Sequence, residues 1–242
     1  MKALRKYLKT RLDHLEQRMD EFVRFEETEK LHDVRVEIKK IKAFFLIAGR
    51  LIKGFNAHKE FIPFREVFRE AGAIREPEVN AALAAHYGIE PEQQTNTFST
   101  TNKEIFLLDA PVFIHRIRKN RKRLMKLTNS ITQKDCKKIV KELNALVRMS
   151  LSPSVTQARL HKTRKTIKNI LYLDQVLNVL SAEEKDFYAS VEVLIGEFHD
   201  KQNLLDSLGD NSGDASVSLH ALERKDLYKI RKLAKAYYFR KS

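Results

Sequence analysis

Residues 31–48 read LHDVRVEIKKIKAFFLIA. At roughly 100° per residue, an α-helix puts Leu31, Val34, Ile38, Ile41 and Phe45 on one arc, about 180–260° from His32. With His32 at about 0°, Arg35 falls at about 300°, Lys39 at about 340° and Lys42 at about 280°. Asp33 and Glu37 point elsewhere, at about 100° and 140°. The stretch is therefore an amphipathic helix whose cations are sorted from its acids and set against the edge of the core. Such sorting costs energy, because like charges three or four residues apart repel by about 0.2–0.5 kcal/mol per pair. A structural helix intersperses Glu among its cations. A single basic run reads as a solvated face, but this one-sided quartet reads as a device for holding an anion.

The same helical period runs through the rest of the 242 residues, which contain 7 Gly, 5 Pro and no Trp. No period-two alternation is long enough to build a sheet, so the expected fold class is all-α. Eight helices are predicted, over 1–28, 31–53, 58–87, 102–128, 133–150, 155–180, 182–209 and 216–240. Proline opposes a continuous helix, so the third should break near Glu76-Pro77. Thr101-x-x-Glu104, Thr132-x-x-Asp135 and Ser181-x-x-Glu184 have the form of capping boxes or close variants. The polar stretches 90–100 and 209–216 read as exposed loops.

The chain also repeats itself. LHDVRVEIKKI (31–41) returns as LHKTRKTIKNI (160–170), GAIRE (72–76) as GEFHD (196–200), and IHRIRK (114–119) as LYKIRK (227–232). The matches are collinear, with offsets of 129, 124 and 113 that differ only by loop-sized amounts. They predict an internal duplication into units 1–129 and 130–242. Each unit would have four helices, packed as a pseudo-symmetric antiparallel bundle. The second copy sorts His161, Arg164 and Lys168 onto one edge, with Lys165 slightly off it, and has Leu171 where the first has Lys42. Acids are missing from Ala110 to Lys134 and from Leu143 to Leu173, while cations accumulate in both runs.

With 46 Lys+Arg against 32 Asp+Glu, the formal net charge is +14, which favours a polyanionic partner. No apolar stretch approaches the roughly 20 residues of a membrane span. The start, residues 1–22, has no signal-peptide core, and its mixed charge reads as an ordinary bundle helix. The one cysteine, Cys136, excludes an intrachain disulfide and fits a reducing compartment. Its lysine-rich surroundings allow a reactive thiolate, but an inert helix residue is the expected reading.

Catalytic signals are weak. Glu29-x-x-His32 matches half of a di-iron motif, but its counterpart at 158–161 has no Glu. His32-Asp33 and His199-Asp200 match metal-phosphohydrolase dipeptides without a matched ligand set. There is no Gly-rich phosphate loop and no nucleophile with an evident base. The expectation is a binding protein with no enzyme activity, cofactor or metal. Nucleic acid is the rival ligand. The quartet has no Tyr or Phe in sequence placed to stack a base. Docking of an acidic protein is a further alternative.

Leu31-His32-Asp33-x-Arg35-x-x-x-Lys39-Lys40-x-Lys42 resembles the signature helix of the CHAD family, the conserved histidine α-helical domains. Leu160-His161-x-x-Arg164-x-x-x-Lys168 is similar to that family's second signature, although Asn169 and Leu171 stand where basic residues are expected. The resemblance covers almost the whole chain. It implies two four-helix bundles whose basic faces meet around a groove or pore that binds inorganic polyphosphate. It also implies a cytoplasmic location in association with polyphosphate granules. The Glu-x-Glu-x-Lys signature of the CYTH triphosphatase fused to some members is absent. In this reading His32, Arg35, Lys39, Lys42, His161, Arg164, Lys165 and Lys168 hold the polyanion. Arg116, Arg118, Lys119, Lys229, Arg231 and Lys232 widen the track from the fourth helix of each unit. The departures at Asn169 and Leu171 imply weaker or asymmetric binding at the second half.

Overall fold

A computed structural model of the chain describes residues 2–89, 96–151, 156–208 and 213–239. Among the described residues there is no strand. The helices are α1 (Lys2–Phe25), α2 (Thr28–Leu51), the single turn α3 (Ala57–Glu60), α4 (Ile62–His86) and α5 (Asn96–Leu127). A 3-10 turn (Thr128–Ser130) then leads to α6 (Gln133–Ser150), α7 (Gln157–Leu177), α8 (Ala182–Leu208) and α9 (Gly213–Phe239). Every long helix expected from the periodicity is present.

The punctuation differs in places. α4 runs through Pro77 without a break. Phe64, Val67, Ala71 and Ile74 are buried before the proline and Ala84 after it, while Pro77 itself is exposed. Packing on both sides outweighs one missing backbone donor. α5 begins at Asn96, so Thr101 lies inside the helix and not at its N-cap. Residues 90–95 and 209–212 of the two expected loops lie outside the described residues. The other two caps form. Asp135 N–H donates to Thr132 Oγ1 at 3.2 Å. Ser181 and Glu184 make a reciprocal box, with bonds of 3.2 and 2.8 Å.

The chain divides into two compact units, Met1–Ala82 with Pro91–Cys136 and Leu83–Glu90 with Lys137–Ser242. The boundary falls inside α6, where the repeat suggested 129/130, and the end of α4 goes with the second unit.

In the first unit, Leu4, Leu8, Leu12, Leu15, Met19 and Phe22 of α1 are buried, as are Leu31, Val34, Ile38, Ile41 and Phe45 of α2. Burying each such side chain contributes about 1.5–3 kcal/mol. Phe45 meets Phe61 and Phe64 edge-on, with centroids 5.1 and 5.5 Å apart. Helix α1 covers one flank of α2, where Tyr7 O–H donates to Lys40 O at 3.1 Å. Glu37, sorted away from the cations as the spacing predicts, lies on that flank and is buried. Arg11 at 3.2 Å and Lys40 at 2.7 Å neutralise it. The other flank of α2, which bears the quartet, faces α4.

In the second unit, Leu160, Ile167, Ile170 and Leu173 of α7 are buried, as are Tyr188, Val191, Ile195 and Phe198 of α8. α8 and α9 are pinned by an ion pair of Lys201 with Asp226 at 2.7 Å, both side chains nearly fully buried. Cys136, which ends the first unit, is buried, and desolvation pushes its thiol up to about 11, as suits an inert helix residue.

Candidate functional site

Arg35 reaches across from α2 onto α4. Its guanidinium carbon lies 4.3 Å from the centroid of the Phe68 ring, and Nη1 donates to Phe68 O at 3.3 Å. One turn further along α4 is Gly72. A Cβ there would overlap Nη1 and stand 3.0 Å from Cζ. The guanidinium fills the space that a side chain at 72 would take, and this is why the position needs glycine. Burial makes Arg35 a weaker base than usual, but an Arg remains charged. Among the described residues it forms no ion pair, and Glu76 acts on it only through space.

Phe68 serves a second cation, since Lys39 Nζ lies 5.7 Å from its ring centroid. Lys42 Nζ lies 5.8 Å from the centroid of Phe61. The quartet therefore does have aromatic neighbours, supplied by the chain after α2. The cations themselves lie over Phe68 and Phe61, whose rings hold positive charge by cation–π attraction. His32 completes the edge. Its Nδ1 accepts from Arg75 Nη1 at 2.9 Å, which places the ring proton on Nε2. Burial first, then the charge of Arg75, lowers its affinity for a second proton. Arg75 also pairs with the exposed Glu29 at 3.5 Å. The sequence reading did not count Arg75 as a site residue, although it lies in the repeated GAIRE motif. Glu29 serves Arg75, and among the described residues no group of three or more His, Cys, Asp or Glu is placed to hold a metal.

The same arrangement recurs where α7 meets α8. A Cβ at Gly196 would stand 2.6 Å from Nη2 and 3.0 Å from Cζ of Arg164. Here, however, a carboxylate takes the aromatic position. Glu192 Oε1 accepts from Arg164 Nε at 2.8 Å and lies 3.0 Å from Lys168 Nζ. Burial alone would raise its pKa. The hydrogen bond from Lys168, then the charges of Lys168 and Arg164, prevail and hold it below the usual carboxylate range. His161 and His199 meet edge-on with centroids 4.5 Å apart, and burial keeps both imidazoles neutral below their usual range. Lys165 is exposed on α7.

Of the fourth-helix cations, Arg116 pairs with Glu66 of α4. Arg118 pairs with Glu16 of α1 at 2.9 Å. Arg121 pairs with Asp13 and Glu16, and Arg123 with Glu60 at 2.9 Å. The acid-free run on α5 is thus answered by carboxylates of α1 and of the chain around α3 and α4. It ties helices together, while Lys119 points to solvent. On α9, Lys229 lies 3.4 Å from Asp226, and Arg231 and Lys232 are exposed. An open hollow on α1 lined by Asp13, Glu16, Asp20 and Glu21 has the opposite sign.

No family model matches the sequence, and no curated protein matches it either. The fold does match. The crystal structure of the CHAD domain from the plant Ricinus communis superposes with a TM-score of 0.69 at 16% identity. That match covers 97% of this chain and 91% of the plant domain. PptA from Streptomyces chartreusis superposes with a TM-score of 0.61 at 13% identity, over 98% of both chains. The chain is all-helical and has the fold of a CHAD domain.

Proposed function

We propose that this chain binds inorganic polyphosphate, or another phosphate-rich polyanion, without catalysing a reaction on it. The observation that carries the reading is the seat of Arg35, held on Phe68 and over Gly72 with no carboxylate in contact. A cation fixed in one place, partly stripped of water and lacking a counter-ion binds an anion with little reorganisation. Lys39 and Lys42 follow along the same edge of α2, and His32 with Arg75 stand one turn before Arg35. The likeness of fold to a CHAD domain supports the same ligand class, because the family is associated with polyphosphate.

In this proposal the N–H groups of Arg35 not used on Phe68 O grip phosphate oxygens, and the lysines act as point charges for successive phosphates. The matched Arg–Gly seats in the two units support descent from one duplicated ancestor. Arg116 and Arg118 are already paired and contribute less than the α2 edge. Nucleic acid is the weaker ligand, because the rings beside the quartet are already engaged by Arg35, Lys39 and Lys42.

The test is titration of long-chain polyphosphate into the parent chain and into the triple variant Arg35→Gln, Lys39→Gln, Lys42→Gln. Binding should weaken with rising salt through counterion release. The variant should keep its helicity and lose at least about 100-fold in affinity, since each charged contact contributes about 1.5–3 kcal/mol. A folded variant that binds like the parent refutes the site. Single-stranded RNA as a competitor, and an assay for released phosphate with a divalent metal, decide against the nucleic-acid and enzyme alternatives if both are negative.

A further inference from the structure

The burial pattern sets the register between α4 and α8. Phe64, Val67, Ala71 and Ile74 are buried in one, and Tyr188, Val191, Ile195 and Phe198 in the other, each pair at the offset of 124 that relates Gly72 to Gly196. That register makes Phe68 and Glu192 equivalent, and Arg75 and His199 equivalent. The two copies of the seat differ at the residue beneath the arginine. In the first it is a ring that accommodates positive charge, and Arg35 on it forms no ion pair among the described residues. In the second it is a carboxylate whose Oε1 bridges Arg164 and Lys168.

We infer that Glu192 is an internal competitor for anions at the second cluster, so that only the first cluster of this chain is open to phosphate. The inference rests on the polyanion-binding reading of the first cluster. A carboxylate oxygen bridging a guanidinium and an ammonium makes the contacts that a phosphate oxygen would make. Glu192 makes them from within the chain, at a high effective concentration that an outside anion must overcome. The carboxylate is 18% exposed, so salt screens the pair less than a surface pair. An incoming phosphate also finds fewer cations there, because Leu171 stands at the position of Lys42 and His199 at that of Arg75. One substitution beneath the arginine turns an open seat into a closed one while the Arg–Gly packing remains.

The experiment uses the full chain, with tripolyphosphate and long-chain polyphosphate as probes, and compares the parent with Glu192→Gln and Phe68→Glu. Calorimetry reads stoichiometry and affinity. The imidazole NMR signals of His161 and His199 report arrival of an anion at Arg164. The parent should bind tripolyphosphate at one site without moving those signals. E192Q should gain a second site, shift both imidazoles, and bind long-chain polyphosphate about tenfold more tightly, with a salt slope steeper by about 1. F68E should clamp Arg35 and Lys39 and weaken binding tenfold or more. If the parent binds and a folded E192Q shows neither the second site nor the imidazole shifts, the inference is overturned and the proposed function stands. If only E192Q binds, the competitor is supported and the first-cluster reading falls. If neither binds, both fall. Should E192Q not fold, Glu192→Phe, which copies Phe68, and F68E give the same decision. An F68E variant that binds like the parent counts against the inference.

Discussion

Gly72→Ala adds one methyl group to a buried helical position and replaces no charged residue. In an ordinary helix it would stabilise the chain by about 1 kcal/mol, because glycine has the larger backbone entropy to lose. Here the new Cβ overlaps Arg35 Nη1 and crowds Cζ at 3.0 Å. The obstruction is the far end of a flexible side chain, so Arg35 moves and the backbone stays. Leaving the seat forfeits the contact with Phe68 at 4.3 Å, about 1 kcal/mol for a partly desolvated cation–π pair. It also forfeits the bond to Phe68 O at 3.3 Å, about another 1 kcal/mol. The net expectation is a loss of about 1 kcal/mol of stability, read by urea unfolding. The effect on polyphosphate should be larger, roughly 10- to 100-fold weaker binding, since a charged contact contributes about 1.5–3 kcal/mol and the cation is no longer preorganised. Gly196→Ala is the matched control. It displaces Arg164 from a seat already occupied by Glu192, so it should cost stability and leave polyphosphate affinity within about twofold. If G72A binds within twofold of the parent while remaining folded, the seat of Arg35 is not what holds the anion.

Two further outcomes are expected. Asp226→Asn removes the counter-ion of the buried Lys201 ammonium, which neutral partners such as Glu197 O at 3.2 Å and Tyr87 do not replace, so it should cost about 3–5 kcal/mol in a denaturant titration. A loss under 1 kcal/mol would mean that the pair is not a pin between α8 and α9. The second concerns pH. Burial and Arg75 keep His32 neutral below its ordinary value of about 6.5, with Lys39 acting in the same direction and Glu29 and Asp33 opposing. The unfolded chain therefore binds the proton first, and stability falls as pH drops below about 6.5, levelling out beneath the folded value. A bound polyanion favours the imidazolium, so polyphosphate affinity should rise as pH falls from 7.5 to 5.5. His32→Gln should flatten both profiles, and a parent whose binding profile is already flat removes His32 from the site.

The helices were legible because their signal is local. A stripe such as Leu31, Val34, Ile38, Ile41 and Phe45 repeats within one turn, and the structure buries all five. The caps at Thr132 and Ser181 were legible for the same reason, since a cap joins residues three apart. Pro77 misled because a local penalty was set against burial on both sides of it that only packing supplies. The burial of Glu37 was not legible, because its side of α2 is covered by α1 and spacing along α2 does not record that.

The amino-acid sequence by itself determined the all-helical class, the sorting of His32, Arg35, Lys39 and Lys42 onto one edge, and the return of the histidine-led helix and of the glycine motif in the second half. Each of these is written in spacing along the chain. Tertiary structure decided which cations are answered and which are not. Phe68 beneath Arg35, Glu192 beneath Arg164, Glu16 against Arg118 and Arg75 against His32 are all contacts between residues 28 to 102 positions apart. Charge depends on what lies within a few ångströms, and that distance is set by how helices pack.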